Sequence, residues 1–71
     1  MDIKFKKFKG TESELDSLYS NSKYDEPFWV ETDHGIYEVS LAWEQGRNNN
    51  YRFTAGDDII WPEYVTHVEQ K

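Results

Sequence analysis

Pairs of carboxylates are the first residues in this chain whose types could do chemistry. Asp25 is followed by Glu26, and Asp57 by Asp58. Two carboxylates can hold a metal ion or divide the roles of acid and base. However, adjacent residues of an extended chain point in opposite directions, and the second pair lacks the alternating acidic spacing of a calcium loop. We therefore interpret both pairs as turn residues, and we expect no metal ion, no cofactor and no enzymatic activity.

The two histidines are the other candidates for proton transfer or metal binding. His34 follows Asp33 in a predicted tight turn, His67 lies on a predicted final strand, and the chain contains no cysteine. Without cysteine, neither a disulfide nor a thiolate zinc site is available. We interpret both histidines as surface residues, because the pattern places no nucleophile beside them. An enzyme would require Asp33, His34, Asp57 and Asp58 to converge in one pocket.

Four lysines near the N-terminus form the basic cluster of the sequence, and they are Lys4, Lys6, Lys7 and Lys9. Against Asp2 they give the first ten residues a charge of +3, whereas the rest of the chain sets four cations against 13 acids and carries −9. A basic strand with stacking rings could bind single-stranded nucleic acid, but the acidic remainder opposes phosphate. We prefer an edge strand that lysine protects from aggregation. Single-stranded nucleic-acid binding, or imitation of DNA by the acidic surface, is the alternative.

Aromatic side chains carry the best indication of function. Four phenylalanines, five tyrosines and three tryptophans make up 17% of the chain. A short chain without cysteine needs rings for its core, and Trp43 is expected there. Exposed Trp and Tyr side chains would instead form a protein-binding surface, because they offer large contact areas at little cost in entropy. This hypothesis assigns apolar anchors to Tyr24, Trp29, Trp61 and Tyr64, and an acidic rim to Asp25, Glu26 and Glu63.

The first elements that position these rings are a strand and a helix. Ile3 and Phe5 alternate with lysines as in a half-buried strand, and Phe8 is out of phase, which predicts a β-bulge near Lys6 and Lys7. The segment Thr11-Glu12-Ser13-Glu14 has the form of a capping box, and an apolar stripe follows it. A short helix is therefore predicted over residues 12–20.

Further strands follow Pro27, with turns at residues 33–35 and 55–58 and a polar loop over residues 45–50. In the clearest strand, the residues at 37, 39, 41 and 43 are expected on the inner face. Residues 59–61 are a short apolar run that Pro62 stops. The element order predicts a mainly β (α+β) domain over residues 1–71. It would be a small five-stranded, partly open SH3-like barrel with one short helix between strands 1 and 2. The predicted later strands cover residues 28–32, 36–43, 51–54 and 65–68.

The segment Ile60-Trp61-Pro62-Glu63-Tyr64-Val65 resembles the end of an SH3-type barrel, where an aromatic-Pro-x-x-Tyr-Val stretch makes a 3₁₀ turn before the last strand. Here one residue separates the proline from the tyrosine, and the usual SH3 opening, Ala-Leu-Tyr-Asp-Tyr, is missing. The resemblance implies a barrel architecture and does not imply binding of proline-rich peptides.

A second resemblance rests on the length of the chain, the Lys-rich first strand, the Thr-Glu-Ser-Glu-Leu helix and the closing Trp-Pro-Glu-Tyr-Val. In these features the whole chain resembles the YorP family, small proteins of Bacillus and its prophages with one helix among five strands. This resemblance implies an origin and a fold but no activity. Because the chain has no cysteine and no apolar run of membrane length, and because lysines interrupt the N-terminus, we expect a cytoplasmic protein. We also expect a monomer whose partner is an unknown host or phage protein.

Overall fold

The computed structural model describes residues 3–45 and 50–71 as a mainly β fold with one helix. Residues 46–49 of the predicted polar loop lie outside the described residues. The helix follows the first strand, as the sequence predicts. The elements are β1 (Phe5–Lys7), α1 (Glu12–Ser20), a first 3₁₀ turn (Ser22–Tyr24), β2 (Phe28–Thr32), β3 (Gly35–Trp43), β4 (Tyr51–Ala55), β5 (Asp58–Ile60), a second 3₁₀ turn (Pro62–Tyr64) and β6 (Val65–Glu69).

All six strands belong to one open antiparallel sheet in the order β1-β6-β2-β3-β4-β5. The long β3 pairs with β2 as far as Val39 and with β4 from Ser40 onward, so it joins the two halves of the sheet. The sheet has six strands where five were predicted, because the apolar run before Pro62 pairs with β4. The second 3₁₀ turn then separates β5 from β6, as the resemblance to an SH3-type ending implies.

The predicted bulge in the first strand is wrong. Lys6 lies opposite Val68, and the pairing of β1 with β6 proceeds residue by residue. Residues directly opposite in an antiparallel pair share a face, so Lys6 shares the inner face with the fully buried Val68. Phe8 is buried in the same phase, and Phe5 takes the other face, where it is half-buried. The irregularity of the sheet lies instead in β2, where the register with β6 shifts after Glu31.

Aromatic rings from four parts of the chain meet in the core. Phe28 of β2 and Phe53 of β4 are both fully buried, and their ring centroids lie 6.0 Å apart in an edge-to-face arrangement. Phe8 packs edge to face on Phe53 at 6.0 Å, and Tyr24 packs on Phe28 at 5.0 Å. These rings form one cluster with buried leucines and valines, namely Leu15, Leu18, Val30, Val39, Val65 and Val68.

The alternation in β3 is observed only at the middle of the strand. Val39 is buried, but Tyr37 is 38% exposed and Trp43 is 49% exposed. The prediction of a core position for Trp43 is therefore wrong. The nine-residue strand is longer than the core that it crosses, so its inner-face side chains reach solvent towards both ends.

The helix begins at the predicted capping box and is attached to the sheet by side chains. The Thr11 hydroxyl accepts from the Glu14 N–H, and the Glu14 carboxylate accepts from the Thr11 N–H. The Tyr51 hydroxyl donates to Asp16 Oδ1 at 2.5 Å, and the Tyr19 ring packs edge to face on the Tyr51 ring at 5.5 Å. These contacts hold the helix against the beginning of β4.

The hydrogen bond to Asp16 raises the pKa of Tyr51 to about 12, with burial of the ring adding to the effect. Because the pKa of a tyrosine in the unfolded chain is about 10, this contribution to stability is complete below pH 10 and is lost as the pH rises to about 12. We expect Tyr51→Phe to lower the free energy of unfolding by about 1–2 kcal/mol at pH 7. Urea denaturation of both proteins from pH 7 to pH 12 should show the difference narrowing above pH 10. A difference that stays constant to pH 12 would contradict the assignment.

Gly10 has φ of +76°, and a Cβ added there would lie 3.3 Å from the Pro62 carbonyl oxygen. Gly56 also has positive φ, +62°, but a Cβ there would meet open space. Both alanine variants should lose about 1 kcal/mol or more from the left-handed backbone. We expect Gly10→Ala to be the more destabilising, because it also presses on the second 3₁₀ turn. Thermal unfolding of the two variants compares their stabilities directly. Equal losses of stability would contradict the close approach of residue 10 to the Pro62 carbonyl oxygen.

Candidate functional site

A groove of about 270 Å³ opens between the β2–β3 turn and the β4–β5 turn. We call it the hairpin groove. The second 3₁₀ turn contributes its last residue to the wall. Its lining residues are Thr32, Asp33, His34, Tyr37, Ala55, Asp58, Ile59, Ile60 and Tyr64.

The β2–β3 turn is held by hydrogen bonds of the Thr32 hydroxyl. Thr32 Oγ1 accepts from the His34 N–H at 3.1 Å and donates to the Gly35 carbonyl at 3.2 Å. Gly35 has φ of 135°, a conformation that side-chain-bearing residues rarely adopt. The local sequence thus fixes the two-residue turn and sets Asp33 and His34 at the edge of the hairpin groove.

The opposite wall follows from the register of the β4–β5 hairpin. Asp58 lies opposite Ala55, and Ile60 lies opposite the fully buried Phe53. Asp58 and Ile60 therefore share the inner face of the sheet with Phe53. Tyr37 has the same orientation, because it lies opposite the buried Val30. The hairpin groove is thus an uncovered continuation of the core at the end of β4 that lies away from the helix.

Apolar side chains and carboxylates meet at this groove. Tyr64 is 61% exposed and Tyr37 is 38% exposed, so both rings present apolar surface to solvent at the groove. Asp33 and Asp58 supply two carboxylates, and no lysine or arginine among the described residues lines the groove. The site is therefore apolar and negatively charged, which suits a ligand with apolar and basic groups.

Of the four predicted anchors, only Tyr64 lines the hairpin groove. Tyr24 is 6% exposed, and its hydroxyl donates to the Glu69 carbonyl at 2.8 Å. The ammonium groups of Lys6 and Lys71 lie 5.7 and 5.8 Å from its ring centroid. The prediction of Tyr24 as an exposed anchor is therefore wrong, because the ring is used to pack on Phe28.

The remaining members of the predicted surface lie in different places. Trp29 is half-buried on the outer face of β2, as expected from its fully buried neighbours. Asp25 and Glu26 are exposed after the first 3₁₀ turn, and Asp25 lines a separate cleft beside the helix. Trp61 is half-buried, and Glu63 is exposed on the second 3₁₀ turn. The structure thus does not unite the predicted anchors and rim in one surface.

The basic cluster is divided between two faces. Lys6 has the inner orientation, opposite Val68, whereas Lys7 has the outer orientation, opposite His67. Lys4 and Lys9 are exposed on either side of this short strand. A single stacking surface for nucleic acid would require the lysines to share one face, so their placement favours the protected-edge interpretation.

Several acids have structural partners inside the protein. Asp16 accepts from Tyr51, Glu31 lies 3.2 Å from His67 Nδ1, and Glu44 forms an ion pair with Arg52. Glu14 caps the helix, and Glu69 accepts from the Trp29 N–H at 3.1 Å. These contacts give the acidic side chains structural roles within the fold. They lend no separate support to the hypothesis that the acidic surface imitates DNA.

Three of the four residues considered for catalysis lie at the same groove. Asp33, His34 and Asp58 line the same hairpin groove, while Asp57 is not among its lining residues. Within the described ranges, no group of three or more histidine, aspartate or glutamate side chains is arranged to hold a metal ion. These three side chains therefore place charged and hydrogen-bonding groups beside the apolar residues that line the groove.

Sequence reasoning missed Tyr37 and the two isoleucines of β5 as parts of a site. Their signal was present in part, since Ile59 and Ile60 form an apolar run between an aspartate and a proline. That run is too short to bury both of its side chains, and it predicts an exposed apolar edge when it is read as a strand.

Comparison with protein-family models, curated proteins and solved structures found no match for this chain. Membership of the YorP family therefore stays a prediction. Within the part of the chain that the structure describes, no helix is long and apolar enough to cross a membrane.

The three tryptophans should differ in solvent access. Trp43 is 49% exposed, whereas Trp29 and Trp61 are half-buried. We expect Trp43→Phe to remove the most quencher-accessible part of the fluorescence in an acrylamide titration. Trp29→Phe and Trp61→Phe serve as matched controls. If Trp43→Phe left the quenching constant unchanged, the exposure of this side chain would be contradicted.

Proposed function

We propose that this protein is a non-enzymatic interaction module that binds an extended apolar and basic segment of another protein in the hairpin groove. The observation that carries the proposal is the meeting of exposed apolar side chains with two carboxylates. Tyr64 and Tyr37 supply the apolar surface, and Asp33 and Asp58 supply the negative charge.

The hairpin groove is small, since its volume of about 270 Å³ lies at the low end of the range for ligand sites. An apolar side chain of a partner would fill it, with neighbouring residues of the partner contacting the rim. Tyr64 suits the role of a contact residue, since tyrosine combines a large ring with a polar hydroxyl and loses little entropy on binding.

The charge of the groove selects the chemistry of the partner. Asp33 and Asp58 form no salt bridge with the described residues, so their charges are available to a ligand. A net charge of −6 also favours encounter with basic partners. Lysine or arginine next to an apolar residue is therefore the pattern we expect in the bound segment.

The biological setting belongs to the same proposal. The resemblance to the YorP family supports a prophage origin, and the absence of cysteine supports a cytoplasmic location. We expect a monomer that acts on a host or phage protein, with the hairpin groove as its contact.

Two synthetic peptides test the proposal. Both are eight residues long, acetylated and amidated, and they alternate Val-Val with either Lys-Lys or Glu-Glu, so that each face of the extended peptide carries both residue types. We expect the lysine peptide to shift the amide resonances of residues around the groove in ¹H–¹⁵N spectra, and the glutamate peptide to have no effect. Absence of binding by the lysine peptide at millimolar concentration and low salt would overturn the proposal.

Substitutions in the groove should weaken binding of the lysine peptide. Tyr64→Ala should weaken it about tenfold or more, because it removes the most exposed ring. Trp43→Ala is the matched control, an exposed ring outside the groove. Asp58→Asn should weaken binding about two- to fivefold, and less at high salt, whereas Asp25→Asn should not. Equal losses in groove and control variants would contradict the site.

A further inference from the structure

The sheet ends at β5, whose outer edge has no neighbouring strand in the described part of the chain. The hairpin register determines what that edge presents. Ala55 and Asp58 close a two-residue turn, and the closing pair of such a hairpin exchanges hydrogen bonds. Because hydrogen-bonded and non-bonded pairs alternate along an antiparallel ladder, Ile59 opposite Thr54 is a non-bonded position. The N–H and C=O groups of Ile59 therefore point away from β4.

The two edges of the sheet differ in how they are protected. The β1 edge carries exposed lysines, which discourage pairing with another strand. The β5 edge carries Ile59 and Ile60, with Asp58 as its charged residue and no lysine. All three residues of β5 line the hairpin groove, so an unpaired strand edge and an apolar groove lie side by side.

We propose that the partner segment binds as an added β-strand along β5, with its main chain hydrogen-bonded to the N–H and C=O of Ile59. This inference rests on the proposed function and adds the mode of binding. Alternate side chains of the added strand would enter the hairpin groove, where apolar residues contact Tyr64 and basic residues approach Asp33 and Asp58. Pro62, which has no N–H, ends the available edge soon after β5, so the pairing is short and side-chain contacts supply the rest of the affinity.

Hydrogen exchange of the intact protein tests the binding mode. In the presence of saturating lysine–valine peptide, the Ile59 amide should exchange at about one tenth of its free rate or more slowly still, because its N–H becomes hydrogen-bonded. The glutamate–valine peptide is the control and should leave the rate unchanged. An Ile59 amide that exchanges equally fast with and without bound lysine peptide would overturn the added-strand mode.

A matched pair of variants provides a second readout. Ile59→Pro removes the outward N–H at an edge position that tolerates proline, whereas Ile59→Val keeps the N–H and most of the side chain. We expect Ile59→Pro to bind the lysine peptide about three- to tenfold more weakly than Ile59→Val, the effect of one main-chain hydrogen bond. The hydrogen-exchange measurement on the unaltered chain decides the question if the proline variant does not fold.

The outcomes separate this inference from the proposed function. Suppose that the lysine peptide binds and that Tyr64→Ala weakens this binding, but that neither the exchange rate of the Ile59 amide nor the affinity of the proline variant changes. The added-strand mode is then wrong, and the groove remains a binding site. If the lysine peptide does not bind, the proposed function fails and the mode fails with it.

Discussion

The contact between Phe28 and Phe53 is the interaction on which the rest of the structure depends. Both rings are fully buried, and they join β2 to β4 across the sheet, edge to face at 6.0 Å. Phe8 and Tyr24 pack on the outer sides of this pair and bring in β1 and the first 3₁₀ turn. A chain of 71 residues without cysteine has no disulfide to restrain it, so ring packing must supply the stability that holds the sheet together.

The same arrangement leaves the hairpin groove open. The helix contributes Leu15 and Leu18 to the core and contacts Tyr51 at the beginning of β4. At the other end of β4, away from the helix, Ala55 and its neighbours on the inner face line the groove. One short helix covers only one end of the sheet. The exposed apolar surface at the opposite end is therefore a consequence of the architecture, and it is the surface we assign to binding.

The charges are distributed in a way that supports this assignment. Lysines lie along the β1 edge, whereas the hairpin groove beside β5 is lined by Asp33 and Asp58. The two edges of the sheet thus have opposite charges and different exposure of apolar residues. An edge that lysines protect is unsuited to added strands, while an apolar edge with acidic residues is suited to a basic, extended segment.

The sequence by itself determined the elements that depend on neighbouring residues. The capping box at Thr11 and Glu14 and the turns before Gly35 and after Ala55 were predicted, because local hydrogen bonds and glycine conformation set them. The mainly β class followed from the same patterns. The strand count differed because a three-residue strand such as β5 has too few residues for a reliable period.

Only the tertiary structure decided which rings are buried and where a site is formed. Tyr24 was assigned to the surface because it adjoins an acidic connector. Its ring nevertheless packs on Phe28, because the first 3₁₀ turn brings the two rings together. Trp43 was assigned to the core by alternation, yet it lies at the end of a strand longer than the core. The hairpin groove joins Asp33, Tyr37, Asp58 and Tyr64, residues of separate elements whose proximity depends on strand pairing. Alternation specifies the face of a residue, but burial and proximity depend on what packs against that face.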